Sequence, residues 1–217
     1  AYGSIEVLVT PTGLSGQSTL DLIPTFSNGV PDITAALFDT PVTVPSGTTP
    51  SRVDVADLNQ DGKVDVVMTE SGSDLIRINE NTSIIGDITF AQTTIAHDFD
   101  GQGPVRLSDM NADGLPDIVA LGASSVVSIY DNTSSGSPIS FAASVTLNAN
   151  NTSPGTAMNI ADLDLDGMPD IVVLTDDGSP TNSRFEIFRH AGLPTSLDFD
   201  SPVAYSEVRI NSLAIGD

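Results

Sequence analysis

Three stretches of the chain repeat one another: VADLNQDGKVDVVM (55–68), LSDMNADGLPDIVA (107–120) and IADLDLDGMPDIVV (160–173). Their leading aspartates lie 52 and 53 residues apart. Repetition at a period of about 20–50 residues is typical of arrays in which each unit buries its faces against its neighbours. The chain is therefore expected to be a repeat protein.

The segments between these stretches indicate β-strands. A β-branched segment follows the acidic residues within each stretch, and a further β-branched or aromatic segment lies at LIRIN (75–79), VVSIY (126–130) and FEIFR (185–189). Each is short and bounded by Gly, Ser, Asn or Asp, and no helical period extends over ten residues. With a strand leading into each acidic loop and a fourth strand starting at a recurrent Phe, each unit has four strands. The Phe markers are Phe38, Phe90, Phe141 and Phe199.

Four antiparallel strands per unit of about 40–55 residues predict the blades of a β-propeller, an all-β fold. We expect one partial propeller domain over residues 1–217, made of three full blades and one split blade. Residues 1–50 would hold the third and fourth strands of a preceding blade, with a long insertion at about 10–37 that either binds a ligand or is irregular. The full blades are expected at 51–102, 103–155 and 156–207, with 208–217 as the first strand of a further blade.

The two ends of the chain suggest that it is a piece of a larger propeller. Residue 1 is Ala, and Asp217 stands where a fourth acidic loop would begin. We therefore expect the remaining blades to come from the parent chain or from a second chain.

Each acidic stretch contains a nine-residue loop with the pattern D-x-[DN]-x-D-G-x-x-D, whose positions are numbered 1 to 9 below. Oxygen side chains at positions 1, 3 and 5, a turn-forming Gly at 6, a backbone carbonyl at 7 and Asp at 9 match the roughly six to eight oxygen ligands of Ca²⁺. Zinc would favour nitrogen or sulfur ligands, and magnesium a tighter octahedron. We predict three structural calcium sites, formed by Asp57, Asn59, Asp61, Lys63 and Asp65; by Asp109, Asn111, Asp113, Leu115 and Asp117; and by Asp162, Asp164, Asp166, Met168 and Asp170.

The EF-hand shares the start of this pattern and is the main alternative. It requires Glu at position 12 and flanking helices. Position 12 is Met68, Ala120 and Val173 here, and the flanks are predicted strands. The pattern therefore favours a calcium loop between strands.

The composition excludes several classes of function. The chain has 29 acidic and 7 basic residues, for a net charge of −22, which repels phosphate backbones and disfavours nucleic acid as a partner. No apolar run approaches the about 20 residues of a membrane helix, so we expect no membrane insertion. Cys is absent, which removes disulfides and thiolate chemistry.

The sequence gives little support for catalysis, and we predict no catalytic and no organic-cofactor residues. Its two histidines, His97 and His190, fall in different predicted blades. No nucleophile elbow, phosphate-binding loop or dinucleotide fingerprint is present.

These units resemble the FG-GAP repeats of the integrin α-subunit head, and more closely the VCBS-type repeats of secreted bacterial proteins. The resemblance rests on ADLNQDGKVDVVM and its two sisters, with NENTS (79–83) and YDNTS (130–134) ending the third strand. It implies a ring of about seven blades with calcium in the loop between the first two strands. The literal FG and GAP sequences that give the family its name are missing, which favours the bacterial branch of the family.

Two functions remain open. The first is a non-enzymatic binding, adhesion or scaffold module on a secreted or cell-surface protein, with an extracellular protein or glycan as ligand. The second is a fragment of a propeller-based polysaccharide lyase or hydrolase, as some relatives are. The presence of only seven basic residues disfavours the second, and the absence of Trp disfavours a sugar site of the stacking type within the first.

Overall fold

The computed structural model describes residues 42–44, 46–47, 49–97, 103–122, 125–150, 155–175, 184–192 and 194–206. The chain separates into two units, Ala1–Val42 and Thr43–Asp217. Apart from Val42, the first unit lies outside the described residues, and so do the predicted insertion at 10–37 and the predicted strand at 208–217.

The described part of the second unit contains strands and no helix, which confirms the all-β prediction. Its strands form three antiparallel sheets of four, each in chain order. The first sheet is β1 (Pro50–Ala56), β2 (Asp65–Glu70), β3 (Leu75–Asn81) and β4 (Phe90–Ala96). The second is β5 (Val105–Ser108), β6 (Asp117–Leu121), β7 (Val126–Tyr130) and β8 (Val145–Asn148), and the third is β9 (Gly155–Ala161), β10 (Asp170–Thr175), β11 (Arg184–Phe188) and β12 (Val203–Ser206).

The second strand of each sheet is buried along nearly its whole length because both of its faces are covered. All residues of β6 and β10 are buried, and in β2 only Val66 is partly accessible. A strand that alternated between core and solvent would carry polar residues at every other position. These three strands therefore lie inside a stack of sheets.

Two apolar cores lie between successive sheets. One joins Leu58, Val67, Ile76 and Ile78 of the first sheet to Val105, Ile118, Ala120, Tyr130 and Ile139 of the second. The other joins Met110, Val119, Leu121, Val127 and Ile129 of the second sheet to Met158, Ile171, Val173 and Phe188 of the third. The first strands also contact one another, β1 with β5 and β5 with β9. This face-to-face stacking, with equivalent strands side by side, is the packing of propeller blades.

Three strands have boundaries that differ from the prediction. The fourth strand starts at its Phe only in the first blade, whereas Phe141 and Phe199 make isolated bridges with Asn132 and His190 before β8 and β12 begin. In the third blade Pro202 follows Phe199 and has no N–H to donate to the ladder, which delays β12. The third strand of that blade also runs from Arg184 to Phe188, one residue earlier than FEIFR.

Candidate metal centre

Each acidic loop connects the first and second strands of its sheet, so all three loops occupy the same place in their blades. In every loop the carboxylate at position 1 accepts two backbone N–H groups, from positions 5 and 6. Asp57 accepts from Asp61 (3.1 Å) and Gly62 (2.8 Å). The same pairs of bonds form at Asp109 (3.1 and 2.8 Å) and at Asp162 (3.1 and 2.9 Å).

Positions 3 and 5 also turn their oxygens back onto the loop. The side-chain oxygen at position 3 accepts the N–H of position 5, at 3.2 Å for Asn59, 3.0 Å for Asn111 and 3.3 Å for Asp164. The carboxylate at position 5 accepts the N–H of position 7, at 2.8–2.9 Å in all three loops. Positions 1, 3 and 5 therefore present oxygen atoms toward the interior of each loop, as a cation site requires.

Two residues of each loop adopt left-handed backbone conformations. Position 6 is glycine with φ of 83°, 93° and 91° at Gly62, Gly114 and Gly167, which confirms the predicted turn. Position 4 is not glycine, yet φ is 59° at Gln60, 56° at Ala112 and 62° at Leu165. This second left-handed residue is not predictable from residue type, because Gln, Ala and Leu have no preference for that conformation.

The aspartate at position 9 is buried and joins three segments of its blade. Asp117 is fully buried, and its Oδ2 accepts the N–H of Met110 at position 2, while its Oδ1 accepts the N–H of Asn132 after β7, both at 2.8 Å. Asp65 and Asp170 make the equivalent pairs of bonds, at 2.7–2.9 Å. Position 9 thus ties the loop to the second and third strands.

Burial raises the pKa of two of these aspartates. For Asp117, loss of solvation outweighs the two N–H donors and, with the nearby charges of Asp131 and Asp113, raises the pKa to about 6. Burial likewise raises the pKa of Asp65. A carboxylate whose charged form is disfavoured in this way is stabilised by a nearby dication.

Position 7 is occupied by residues of three different types. Their N–H groups donate to position 5, and the predicted role of their carbonyl oxygens as ligands stays a prediction. Lys63 also places its Nζ 3.1 Å from Asp61 Oδ2. Leu115 and Met168 have no charge to offer, and Met168 is buried.

A further residue beside each loop was not predicted from the sequence. It lies at the end of the third strand, directly before the residue whose N–H binds position 9. In the first two blades it is acidic: Asn59 Nδ2 donates to Glu80 Oε1 at 3.1 Å, and Asn111 Nδ2 donates to Asp131 Oδ1 at 2.9 Å. In the third blade it is Arg189, whose Nε lies 2.5 Å from Asp164 Oδ2.

The third loop brings three carboxylates together. Oxygens of Asp162, Asp164 and Asp166 lie within 4.8 Å of one another, whereas Asp170 stands outside this cluster. The hydrogen bond from Arg189 is the main cause that lowers the pKa of Asp164. In the first two loops position 3 is an asparagine, so only positions 1, 5 and 9 carry carboxylates.

The donors fit a hard dication. Every side chain at positions 1, 3, 5 and 9 offers oxygen, and the Asn59 and Asn111 amides point their oxygens into the loop and their nitrogens at a carboxylate. An all-oxygen set with several carboxylates suits calcium better than zinc. Asp57, Asn59, Asp61 and Asp65, with their counterparts in the other loops, would hold the ion, which would supply positive charge and no chemistry.

A comparison with known protein families matches residues 109–173 to the FG-GAP-like repeat. The matched segment is similar to a propeller-type repeat. It runs from position 1 of the second loop to Val173 in β10, and so contains most of the second blade and the loop of the third. The propeller-type repeat predicted from the sequence is thereby confirmed, while its placement in the bacterial branch stays a prediction. No curated protein shows significant similarity to the chain.

The two histidines are buried in different blades. His97 places Nδ1 2.8 Å from the hydroxyl of Tyr130 in the next blade, and burial lowers its pKa to about 4. His190 packs edge-on against Phe199, accepts the N–H of Gly192 at Nδ1 and places Nε2 3.1 Å from the Ser196 carbonyl. Both rings therefore lie in packed interiors, outside the acidic loops.

Among the described residues, no helix has the length and apolar character that crossing a membrane requires.

Proposed function

We propose that this chain is a segment of an extracellular, calcium-stabilised β-propeller that acts as a non-enzymatic binding or scaffold module. The observation that carries the proposal is the same hydrogen-bonded acidic loop in three successive blades, with positions 1, 3 and 5 turned inward each time. Repetition of that geometry in step with the blades favours a shared ligand over three unrelated acidic turns.

Calcium would act by neutralising charge. Each loop holds carboxylates in a small volume, and burial makes ionised Asp117 costly. A dication bound only by the folded state stabilises by mass action, by about 2.7 kcal/mol at a hundredfold excess over Kd. The chain has no disulfide, so the ions would add cross-links to the hydrogen-bonded pairing of its first and second strands.

Thermal unfolding with and without calcium tests this proposal. We expect EDTA to lower the melting temperature by several degrees, calcium to restore it, and an equal concentration of magnesium to restore much less. The matched control is the triple variant Asp57→Asn, Asp109→Asn and Asp162→Asn, which should respond little to calcium. A wild-type melt that is the same in EDTA and in millimolar calcium would refute the proposal.

The affinity for calcium tests the extracellular part of the proposal. Extracellular calcium modules typically have Kd values of about 10⁻⁴–10⁻³ M and fill outside cells but not in cytosol. Isothermal titration calorimetry should therefore return values in that range. Submicromolar sites would fill in cytosol and would contradict the assignment.

The two ends of the blade stack suggest that further blades pack against it. Val105 is fully buried between the first two blades, but its counterpart Val53 in the first blade is 58% exposed. Leu58 is fully buried, but its counterpart Leu163 in the third blade is 41% exposed. Among the described residues, the faces that are core between blades are thus exposed at both ends of the stack, and a blade of the same kind fits them.

Sedimentation of the whole chain tests the open faces. If blades of the same kind cover them, the chain alone should self-associate as its concentration rises, and Val53→Asp with Leu163→Asp should abolish the association. The matched control is Leu165→Asp, which changes another exposed residue of the third loop. A chain that stays monomeric at about 100 μM, well above the usual Kd of stable interfaces, would argue against this packing.

The ligand of such a module would be an extracellular protein or glycan. A glycan array and a capture experiment with cell-surface proteins, each in calcium and in EDTA, would identify its class. Release of unsaturated or shortened sugars from a bound polysaccharide would instead support the lyase or hydrolase alternative.

A further inference from the structure

We propose that Arg189 acts as a built-in counter-ion of the third loop and competes with calcium there, making the third site the weakest of the three. This inference rests on the proposed calcium function. It starts from one position, at the end of the third strand, that carries Glu80, Asp131 and Arg189 in successive blades. These three residues are equivalent because, in each blade, the residue that follows donates its backbone N–H to the aspartate at position 9.

In the first two blades this position adds negative charge beside the loop. Glu80 is buried and accepts from Asn59 at 3.1 Å. Asp131 accepts from Asn111 at 2.9 Å. Each carboxylate orients the position-3 amide so that its oxygen faces the loop. Both features favour a dication.

In the third blade the charges are exchanged. Position 3 is Asp164 instead of asparagine, and Arg189 replaces the acidic partner. The guanidinium contacts Asp164 Oδ2 through Nε (2.5 Å) and Asp166 Oδ2 through Nη2 (3.5 Å), and it also reaches Asp200 through Nη1 (3.3 Å). It therefore binds two of the three carboxylates that cluster within 4.8 Å.

A cation at those same oxygens and the guanidinium exclude one another in part. A dication close to Arg189 meets like charge, and the oxygens that it needs already accept N–H groups from the arginine. Arg189 is about half exposed (48%), so it can swing into solvent when calcium binds. The competition should weaken the third site by a limited factor, about three- to tenfold, as expected for exposed charge pairs.

Lys63 provides a natural comparison in the first loop. Its ammonium contacts only Asp61, at 3.1 Å, and the side chain is 40% exposed. It sits at position 7 within the loop and reaches one carboxylate, whereas Arg189 bridges two from outside. Removing Lys63 should therefore change the calcium affinity of the first loop much less.

Single-loop variants allow the sites to be measured one at a time. Asp57→Asn with Asp109→Asn leaves the third loop intact, and Asp109→Asn with Asp162→Asn leaves the first. By calorimetry, calcium should bind the third loop several-fold more weakly than the first. Arg189→Gln should tighten the third loop about three- to tenfold, and Lys63→Gln should change the first by less than twofold.

The melting temperature gives a second readout, because an arginine with a purely structural role would not make the effect of its removal depend on calcium. Arg189→Gln should lower the melting temperature in EDTA, where the counter-ion is lost, and the deficit should shrink or vanish in calcium. If the single-loop variants do not fold, Arg189→Gln in the otherwise unchanged chain still tests the idea. The wild type should then show two stronger sites and one weaker site, and the variant three similar sites.

The outcomes separate the two proposals. No calcium binding at any loop would remove the proposed function itself. If the three sites bind calcium equally and Arg189→Gln leaves their affinity unchanged, the role of Arg189 is overturned and the proposed function stays intact. If Arg189→Gln lowers the melting temperature equally in EDTA and in calcium, the role of Arg189 is also overturned.

Discussion

Replacing Asp117 by Asn should destabilise the chain by about 2 kcal/mol even when calcium is absent. The carboxylate is fully buried, and its two oxygens accept N–H groups from Met110 and Asn132, both at 2.8 Å. The asparagine side chain keeps one oxygen that can accept a backbone N–H, but its NH₂ group then faces the other backbone N–H. The variant therefore loses one hydrogen bond to a charged group, worth about 1.5–3 kcal/mol, and leaves a buried donor unsatisfied, at about 1–3 kcal/mol.

A compensating effect reduces that loss. Burial raises the pKa of Asp117 to about 6, so the ionised carboxylate is itself unfavourable in the calcium-free fold. A neutral amide removes this penalty, which we take as about 1–2 kcal/mol after allowing for partial solvation. The hydrogen-bond loss exceeds the relief, and a net destabilisation of about 2 kcal/mol remains.

Thermal denaturation at pH 7.5 in EDTA measures this effect. For a chain of this size, 1 kcal/mol corresponds to a shift of about 2–4 °C, so the variant should melt about 4–8 °C lower. Asp109→Asn is the matched control, because its two N–H bonds are solvent-accessible. The control should lose less stability in EDTA but more of its response to calcium. If Asp117→Asn melts within a degree of the wild type, the structural role of position 9 is wrong.

Three further changes probe other parts of the fold. His97, buried against Tyr130, has a pKa lowered to about 4, so its contribution is complete above pH 6.5 and is lost as the pH falls toward 4. His97→Gln should remove about 2–3 kcal/mol of that acid destabilisation. If the free energy of unfolding from urea titrations has the same pH dependence in the variant and the wild type, this expectation is wrong. Leu165→Asn should raise stability by about 0.5–1 kcal/mol, because an 87% exposed leucine holds φ of 62°; a lower melting temperature would oppose it. Gly155→Ala should cost about 1–3 kcal/mol, since its Cβ would lie 2.4 Å from Cδ2 of buried Leu121, and an unchanged melt would show that Leu121 can move.

The repeat made the blades predictable from the sequence. Strand alternation and turn residues are local signals, and three copies in phase indicate the same boundaries three times. The loop pattern likewise indicated positions 1, 3, 5 and 6, because an oxygen side chain every second residue and a glycine at the turn are local requirements. Their inward hydrogen bonds and the left-handed glycines agree with that expectation.

Two features of the site could not be found this way. The left-handed conformation at Gln60, Ala112 and Leu165 is imposed by the hydrogen bonds around it, and no side-chain preference predicts it. The partners Glu80 and Asp131 lie about 20 residues beyond position 3. They come close only through the pairing of the second and third strands, whose register is a property of the folded sheet.

The aspartate at position 9 has a structural role that the loop pattern alone does not predict. The pattern predicted a calcium ligand, and the structure adds two backbone N–H groups that its carboxylate accepts, one from the loop and one from the end of the third strand. Because these bonds need no ion, the loop closes onto its blade before any cation arrives. We expect the contribution of calcium to be the relief of repulsion among the carboxylates of each loop. Chelation should therefore lower the melting temperature and leave the strand order intact, and the blade whose loop carries Arg189 should be the least sensitive to it.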